Sequence, residues 1–163
     1  AIRSNDPIMF IEHATLYQSR GEVPDGDYIV PIGRSTIQRP GKDVTIVTYS
    51  KMLEVSLKAA DELAKEGIEA EIVDLRTLRP LDMDPVIASF KKTNRAVIAE
   101  EGWKSFGVGS EVAARIYEQA FDYADAPVRR VAQAEVPLPY NRNLEQLALP
   151  QVADVVAAVK EVL

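Results

Sequence analysis

Runs of β-branched residues alternate with helical patterns along most of this chain, and this alternation constrains the fold more than any other feature. Strands are predicted at residues 44–49, 71–75, 96–99 and 128–131, and helices at 51–66, 84–92, 110–123 and 151–162. A strand, a helix and a further strand in that order form a parallel sheet covered on both faces. The sequence therefore predicts a three-layer α/β/α fold with a mainly parallel sheet of about five strands.

The helix after the first predicted strand has recognisable ends. Ser50 is a residue type that caps helix N-termini, and Gly67 can adopt the left-handed conformation that ends a helix. Residues three or four apart lie on one side of a helix, and the apolar ones here are Leu53, Leu57, Ala60 and Ala64. We expect these four side chains to form its buried face. Ser110 is the corresponding predicted cap of the helix over 110–123.

The first 42 residues differ from the rest of the chain. Residues 7–12 (PIMFIE) predict a short buried strand, and 35–38 a second short strand. Between them lies a long irregular stretch punctuated by glycine and proline. A structureless loop of this length is unusual inside one compact domain. It is better interpreted as a linker, or as an arm that packs on a neighbour.

Composition excludes several kinds of site. The chain of 163 residues has no cysteine and a single histidine, which excludes disulfides, thiolate nucleophiles, iron–sulfur clusters and multi-histidine metal centres. Its net charge of −6 argues against nucleic acid or an anionic membrane as the main partner. No apolar run is long enough for a membrane span. The first residue is alanine rather than methionine, which is compatible with processing, with removal of a tag or with a fragment of something longer.

Glycines and carboxylates follow the strand predicted at 96–99. Gly107 and Gly109 precede a helix, and such a junction can bind phosphate through free backbone N–H groups. The alternative is a tight turn where backbones approach closely. Glu100 and Glu101 could serve as a general acid and base if Trp103 and Phe106 desolvated them; alternatively, one carboxylate caps a loop or pairs with a lysine.

No catalytic constellation emerges from the remaining residues. His13 and Glu12 are adjacent, so in a strand they would point to opposite faces. No nucleophile elbow is present. The run VPLPYNRNLE (136–145) predicts a rigid, extended connection in which a buried Tyr140 and Arg142 could anchor an interface. We therefore assign no catalytic, cofactor-binding or metal-binding residue.

Several motifs together resemble one enzyme family. They are FIEHATLY (10–17), VPIGRSTIQRPGKDVTIV (30–47), EIVDLRTLRPLD (71–82), FGVGSEVAARI (106–116) and VPLPYNRNLE (136–145). They resemble the C-terminal domain of transketolase-like thiamine-diphosphate enzymes, and among these the beta subunits of the pyruvate dehydrogenase first component. The equivalent domain of a branched-chain 2-oxo acid dehydrogenase, of a transketolase or of a deoxyxylulose-phosphate synthase is an alternative, as is a free-standing nucleotide- or anion-binding module.

The resemblance implies a division of the chain and a role in assembly. Residues 1–42 would be the last strand of a preceding pyrimidine-binding domain plus a linker, and 43–163 a transketolase-like C-terminal domain. Thiamine diphosphate and Mg would be bound outside this chain, which would be inactive alone. Expected partners are an alpha subunit, a second beta subunit and the basic binding domain of a dihydrolipoyl acyltransferase. Hypothetical docking anions are Asp122, Asp125 and the C-terminal carboxylate of Leu163. We expect self-association, and a bacterial cytoplasmic location rather than the mitochondrial matrix.

Overall fold

A five-stranded sheet with helices on both faces forms the centre of the molecule in the computed structural model, which describes residues 2–163. The strands are β1 (Thr36–Arg39), β2 (Val44–Thr48), β3 (Ala70–Asp74), β4 (Ala96–Trp103) and β5 (Arg129–Gln133). The helices are α1 (Met52–Lys65), α2 (Asp84–Thr93), α3 (Val108–Ala120), α4 (Arg142–Ala148) and α5 (Val152–Val162). Single 3-10 turns lie at Ala14–Gln18 and Phe121–Tyr123.

The sheet is mostly parallel, in the order β1-β3-β2-β4-β5. The strands β3, β2, β4 and β5 run parallel, and β1 pairs with β3 in the antiparallel direction. Every residue of β2 and β3 is buried, as expected for central strands covered on both faces. The predicted α/β/α fold with about five strands is confirmed.

Two hydrophobic cores lie on the two faces of the sheet. Ile46 of β2 points to the core built with α1 and α5, and the next residue, Val47, points to the core built with α2 and α3. This follows from the strand geometry, in which successive side chains alternate between faces. The largest buried side chain is Phe90 of α2.

Several local predictions are corrected by the structure. The buried face of α1 consists of Met52, Ser56, Ala59, Ala60 and Leu63, so the predicted face is rotated by about one residue. Ser50 does not cap α1 and has a positive φ of 54°, and α1 begins after Lys51. The helix predicted from Ser110 begins two residues earlier, at Val108. Gly67 does adopt the left-handed conformation, with φ of 82°.

The N-terminal part of the chain contributes little to the cores. Residues 7–12 are exposed and form no strand, so that strand prediction is not met within the described residues. No residue of 2–32 is buried, and we call this segment the arm. β1, by contrast, lies upstream of the predicted boundary at residue 43 and belongs to the same sheet.

A buried carboxylate on β3 is paired with a lysine from α2. Glu71 is 1% exposed and accepts hydrogen bonds from the Lys92 ammonium and from the backbone N–H of Gly41, the latter at 3.2 Å. Burial favours the neutral acid, but the hydrogen bonds from Lys92 and Gly41, the nearby Ser89 hydroxyl and the Lys92 charge together outweigh it, so the pKa of Glu71 lies below its ordinary value of 4.5. A lowered pKa in the folded state stabilises the fold above that ordinary value, and the stabilisation is lost as pH falls.

We expect Lys92→Met to lower the free energy of unfolding by about 2 kcal/mol at neutral pH, because it leaves the Glu71 carboxylate buried without its cation. The loss should shrink as pH falls below the ordinary range for glutamate, where Glu71 is protonated. Urea unfolding at neutral and acidic pH measures both effects. Lys91→Met is the matched control, since Lys91 on the same helix lies over the Tyr123 ring, 5.0 Å from its centroid, and does not contact a buried carboxylate. Equal losses in the two variants would contradict the assignment.

Candidate functional site

The carboxyl ends of the parallel strands, where ligands of open α/β sheets bind, carry the titratable groups singled out from the sequence. Glu100 lies near the end of β4 and is 1% exposed. Its carboxylate accepts the backbone N–H of Gly109 at 3.0 and 3.1 Å, and the Tyr49 hydroxyl at 3.2 Å. Glu100 therefore serves as the anion at the N-terminus of α3, where the helix dipole favours negative charge.

This carboxylate explains Gly109 at the α3 N-terminus, and together with the Trp103 backbone carbonyl it explains Gly107. A Cβ atom on Gly107 or Gly109 would lie 2.7 or 2.5 Å from Glu100 Oε1, too close for any real contact. The G-x-G spacing thus makes room for a side chain of the protein itself. Because Glu100 already fills the helix N-terminus, the structure argues against the hypothesis that these glycines bind a nucleotide or another external anion.

Tyr49 is held in its protonated form. Burial raises the pKa of its hydroxyl well above the usual value, and the nearby charges of Glu100 and Glu101 raise it further. A protonated Tyr49 donates to Glu100 throughout the physiological range. Trp103 and Phe106 are 52% and 104% exposed, so the expectation that they desolvate the carboxylates is wrong. Glu100, one of the two candidate general acids, therefore has a structural role as the hydrogen-bond acceptor at the start of α3.

The neighbouring carboxylate faces a groove of about 420 Å³. Glu101 Oε2 lies 3.1 Å from His13 Nε2, and the Thr15 hydroxyl lies 2.9 Å from His13 Nδ1. The groove is lined by these three residues and by Lys51, Gln133, Leu138, Arg142, Glu145, Gln146 and Leu149. Sequence reasoning missed the contact between His13 and Glu101, because the two residues are 88 positions apart.

The far wall of the groove is α4, which the sequence interpretation missed. Asn141 caps it by accepting the backbone N–H groups of Asn143 and Leu144. Asparagine is a residue type that caps helix N-termini and is therefore a usable helix-start signal, but the prolines on either side favour an extended connection. Tyr140, expected to be buried, is fully exposed. Upstream, the Trp103 indole N–H donates to the Val136 carbonyl at 3.2 Å and ties this segment to β4.

Two kinds of feature are absent from the part of the chain that the structure describes. Between residues 2 and 163, no cluster of three or more histidine, aspartate or glutamate side chains is arranged to hold a metal ion. Over the same range, no helix is both long enough and apolar enough to cross a bilayer.

Comparison with known proteins identifies the family. The Transketolase, C-terminal domain family matches residues 33–155, which include all five strands and most of the helices. This chain belongs to the transketolase C-terminal domain family. The match confirms the resemblance noted in the sequence motifs, and its first residue lies just before β1.

Curated relatives of this transketolase C-terminal domain are beta subunits. It is 51% identical to pyruvate dehydrogenase E1 component subunit beta-1, mitochondrial, of Arabidopsis thaliana, over 98% of this chain and 45% of that one. It is 50% identical to the corresponding subunit beta of Rhizobium meliloti (strain 1021), over 99% of this chain and 35% of that one. The chain thus spans about a third to a half of the length of the relatives it matches.

Solved structures agree with this assignment. A chain described as a split gene transketolase, inactive beta4 tetramer, is 35% identical with a TM-score of 0.73, over 87% of this chain and 45% of that one. A 2-oxoglutarate:ferredoxin oxidoreductase from Magnetococcus marinus has a TM-score of 0.51 at 14% identity, over 78% of this chain and 19% of that one. The second likeness shows the fold alone.

The sequence-predicted docking anions of this transketolase C-terminal domain lie at the opposite edge of the sheet. Asp122 is exposed, and the Asp125 carboxylate lies 3.5 Å from the Arg95 guanidinium. Both precede the start of β5. Leu163 follows α5, whose last turn reaches the same edge, because Glu161 lies 3.2 Å from Arg129, the first residue of β5. We call this set of three the amino-edge anions.

Proposed function

We propose that this chain is the C-terminal assembly domain of the beta subunit of a thiamine-diphosphate-dependent pyruvate dehydrogenase. The supporting observation is identity of about 50% to pyruvate dehydrogenase beta subunits over nearly the whole chain. The names of these relatives favour pyruvate over a branched-chain 2-oxo acid. The parent enzyme would decarboxylate pyruvate and reductively acetylate the lipoyl group of an acyltransferase core.

The contacts at the carboxyl edge support a structural role for the domain. Glu100 is engaged by α3 and by Tyr49, and Glu101 by His13. Both carboxylates thus have partners within the chain. From the relatives, we propose that thiamine diphosphate and Mg are held by residues of the parent enzyme outside this chain. Titration calorimetry of the chain with thiamine diphosphate and Mg²⁺ should give no binding heat, and tight binding would refute the proposal.

The amino-edge anions are proposed to dock a basic partner, the binding domain of a dihydrolipoyl acyltransferase. The net charge of −6 suits that partner, because complementary charge speeds encounter and fixes orientation. Asp122 and the carboxylate at Leu163 are exposed, and Asp125 is only partly engaged by Arg95. The surface therefore offers negative charge that the fold itself does not use.

We expect Asp125→Lys to weaken binding of a purified acyltransferase binding domain about tenfold, and Asp122→Lys by a similar factor, with the loss decreasing at high salt. Extending the chain beyond Leu163 by two residues should weaken binding too, because it moves the carboxylate. Surface plasmon resonance measures each affinity. Glu22→Lys makes the same charge change on the exposed arm and serves as the control. Unchanged binding after the Asp125 reversal would remove that residue from the docking surface.

An alpha subunit and a second beta subunit are the other proposed partners. Large exposed apolar side chains lie on the arm and around α4, among them Phe10, Ile11, Tyr140 and Leu147. Exposed apolar surface of this kind marks protein interfaces. We therefore expect the isolated chain to self-associate. A strictly monomeric mass by light scattering at high concentration would count against this.

A further inference from the structure

Three buried hydroxyls connect β2 to α2 near the start of β2. The Thr45 hydroxyl lies 2.6 Å from the Ser89 hydroxyl and 2.7 Å from the Thr93 hydroxyl. Ser89 and Thr93 are four residues apart, so one side chain of the strand spans one turn of the helix. The Thr93 hydroxyl also lies 3.1 Å from the Arg95 carbonyl and 3.2 Å from the Ser89 carbonyl. We call the hydroxyls of Thr45, Ser89 and Thr93 the hydroxyl relay.

The Glu71 carboxylate on the neighbouring strand has one oxygen in use and one not. Its Oε2 accepts the Lys92 ammonium and the Gly41 backbone N–H. Its Oε1 is buried and has no partner at hydrogen-bond distance within the part of the chain that is described. The Ser89 hydroxyl is close enough to this carboxylate to lower its pKa. A buried charged oxygen that lacks a donor is costly, so a donor near it matters for the fold.

The protons of the hydroxyl relay fit two arrangements. Each hydroxyl has one proton, and each of the two short oxygen–oxygen contacts needs one. The Thr45 hydroxyl has no further acceptor among the described residues, so it donates to one of its two neighbours. If it donates to Thr93, then Ser89 donates to Thr45 and the remaining proton belongs to Thr93. In the reverse arrangement, Thr93 donates to Thr45, Thr45 donates to Ser89, and the remaining proton belongs to Ser89.

The remaining proton is needed more at the Ser89 end. At the other end, the Arg95 carbonyl already accepts the Thr45 backbone N–H at 2.9 Å, and the Ser89 carbonyl lies within the hydrogen-bond ladder of α2. Neither carbonyl depends on the Thr93 proton. Glu71 Oε1 has no other donor, and leaving a buried charged oxygen unpaired costs more than leaving a carbonyl with one hydrogen bond instead of two.

We propose that the hydroxyl relay donates in one direction, ending with a hydrogen bond from Ser89 to Glu71 Oε1, and that it fixes the register of α2 on the sheet. The carboxylate at the end of the relay is also held by Lys92 of the same helix and by Gly41 of the turn before β2. The relay therefore joins α2, β2 and β3 in one polar unit.

The apolar face of α2 specifies its register less strictly. Val86 and Phe90 are both fully buried and four residues apart, so a slip by one turn can bring Val86 into the place of Phe90. The same slip would bring Pro85, which has no hydroxyl, into the place of Ser89. Because buried polar groups demand particular partners, they select one arrangement where apolar contacts permit more than one.

Hydrogen exchange of single amides, followed by NMR, measures how often α2 opens. We expect Ser89→Ala to speed exchange of the α2 amides about tenfold, because it leaves Glu71 Oε1 without a donor. Thr93→Val should speed exchange about threefold at most, because Thr45 can still donate to Ser89, and Ser89 to the carboxylate. The opposite direction of donation would give the opposite order of these two effects.

Ser56→Ala is the matched control, since Ser56 is a fully buried serine of α1 whose hydroxyl has no hydrogen-bond partner among residues 2–163. Its exchange rates should change by less than about twofold. In a Glu71→Leu, Lys92→Met background, Ser89→Ala should lose its effect, because no buried carboxylate remains. The proposal would be overturned by a Ser89→Ala effect that is no larger than the control, that is smaller than the effect of Thr93→Val, or that persists in that background.

Discussion

Replacing Gly109 by alanine is expected to lower the free energy of unfolding by about 2 to 3 kcal/mol. The new Cβ would lie 2.5 Å from Glu100 Oε1 and 3.2 Å from the Ile98 side chain. Alanine in place of glycine within a helix contributes about 1 kcal/mol of stability. Displacing a buried carboxylate from its N–H donor, with the overpacking, costs about 3 to 4 kcal/mol. The clash therefore outweighs the gain in helix propensity.

Gly102→Ala is the matched control for this loop. A Cβ there would meet only Glu100 Oε2, at 3.9 Å, which is an ordinary contact. We expect a change within about 0.5 kcal/mol, as for most surface substitutions. Urea unfolding of both variants gives the comparison. A Gly109→Ala protein as stable as Gly102→Ala would show that Glu100 does not occupy the α3 N-terminus.

A double-mutant cycle tests whether Glu100 is the cause. Glu100→Ala alone should cost about 3 kcal/mol, because it leaves a cavity and an uncapped helix end. In that background, Gly109→Ala should cost almost nothing, since the opposing carboxylate is gone. The resulting coupling energy of about 2 kcal/mol or more would be typical of residues in direct contact. Additive losses would contradict a shared mechanism.

Gly41→Ala is expected to have the largest effect of any single substitution considered, a loss of about 4 kcal/mol or failure to fold. Its Cβ would lie 2.2 Å from the Glu71 nitrogen, 2.3 Å from the Ala70 carbonyl carbon and 2.5 Å from the Glu69 oxygen. All three are backbone atoms at the start of β3. They cannot move aside, because the Glu69 carbonyl also accepts the N–H groups that follow Gly41.

The comparison for Gly41 is Gly21→Ala, where an added Cβ meets nothing within 4 Å. That substitution lies on the arm and should change stability by less than about 0.5 kcal/mol. The yield of soluble protein and the urea midpoint measure both variants. A soluble Gly41→Ala protein with an unchanged midpoint would mean that the turn between β1 and β2 does not approach β3 as described.

Local pattern was sufficient for most elements of the fold. The β-branched run at 44–49 and the helical spacing after it predicted β2 and α1, and Gly67 marked the end of α1 correctly. The buried face of α1 was predicted one position off, because Leu53 and Leu57 lie at the margin of the interface while the small Ser56 and Ala59 face it. Where a helix packs closely on a sheet, the opposing residues of the sheet decide which side-chain sizes fit. The periodicity of apolar residues in the helix does not contain that information.

The sequence by itself determined the α/β class and most of the order of strands and helices, because these depend on patterns of residues close together along the chain. It also determined the family, because the family motifs are contained in the sequence. Only the tertiary structure decided that the G-x-G glycines lie against Glu100 and that Glu101 meets His13 across 88 positions. A loop that could have bound phosphate instead holds a side chain of the protein. Charge at a helix N-terminus is satisfied by whichever anion the fold brings there, and the sequence does not show which one arrives.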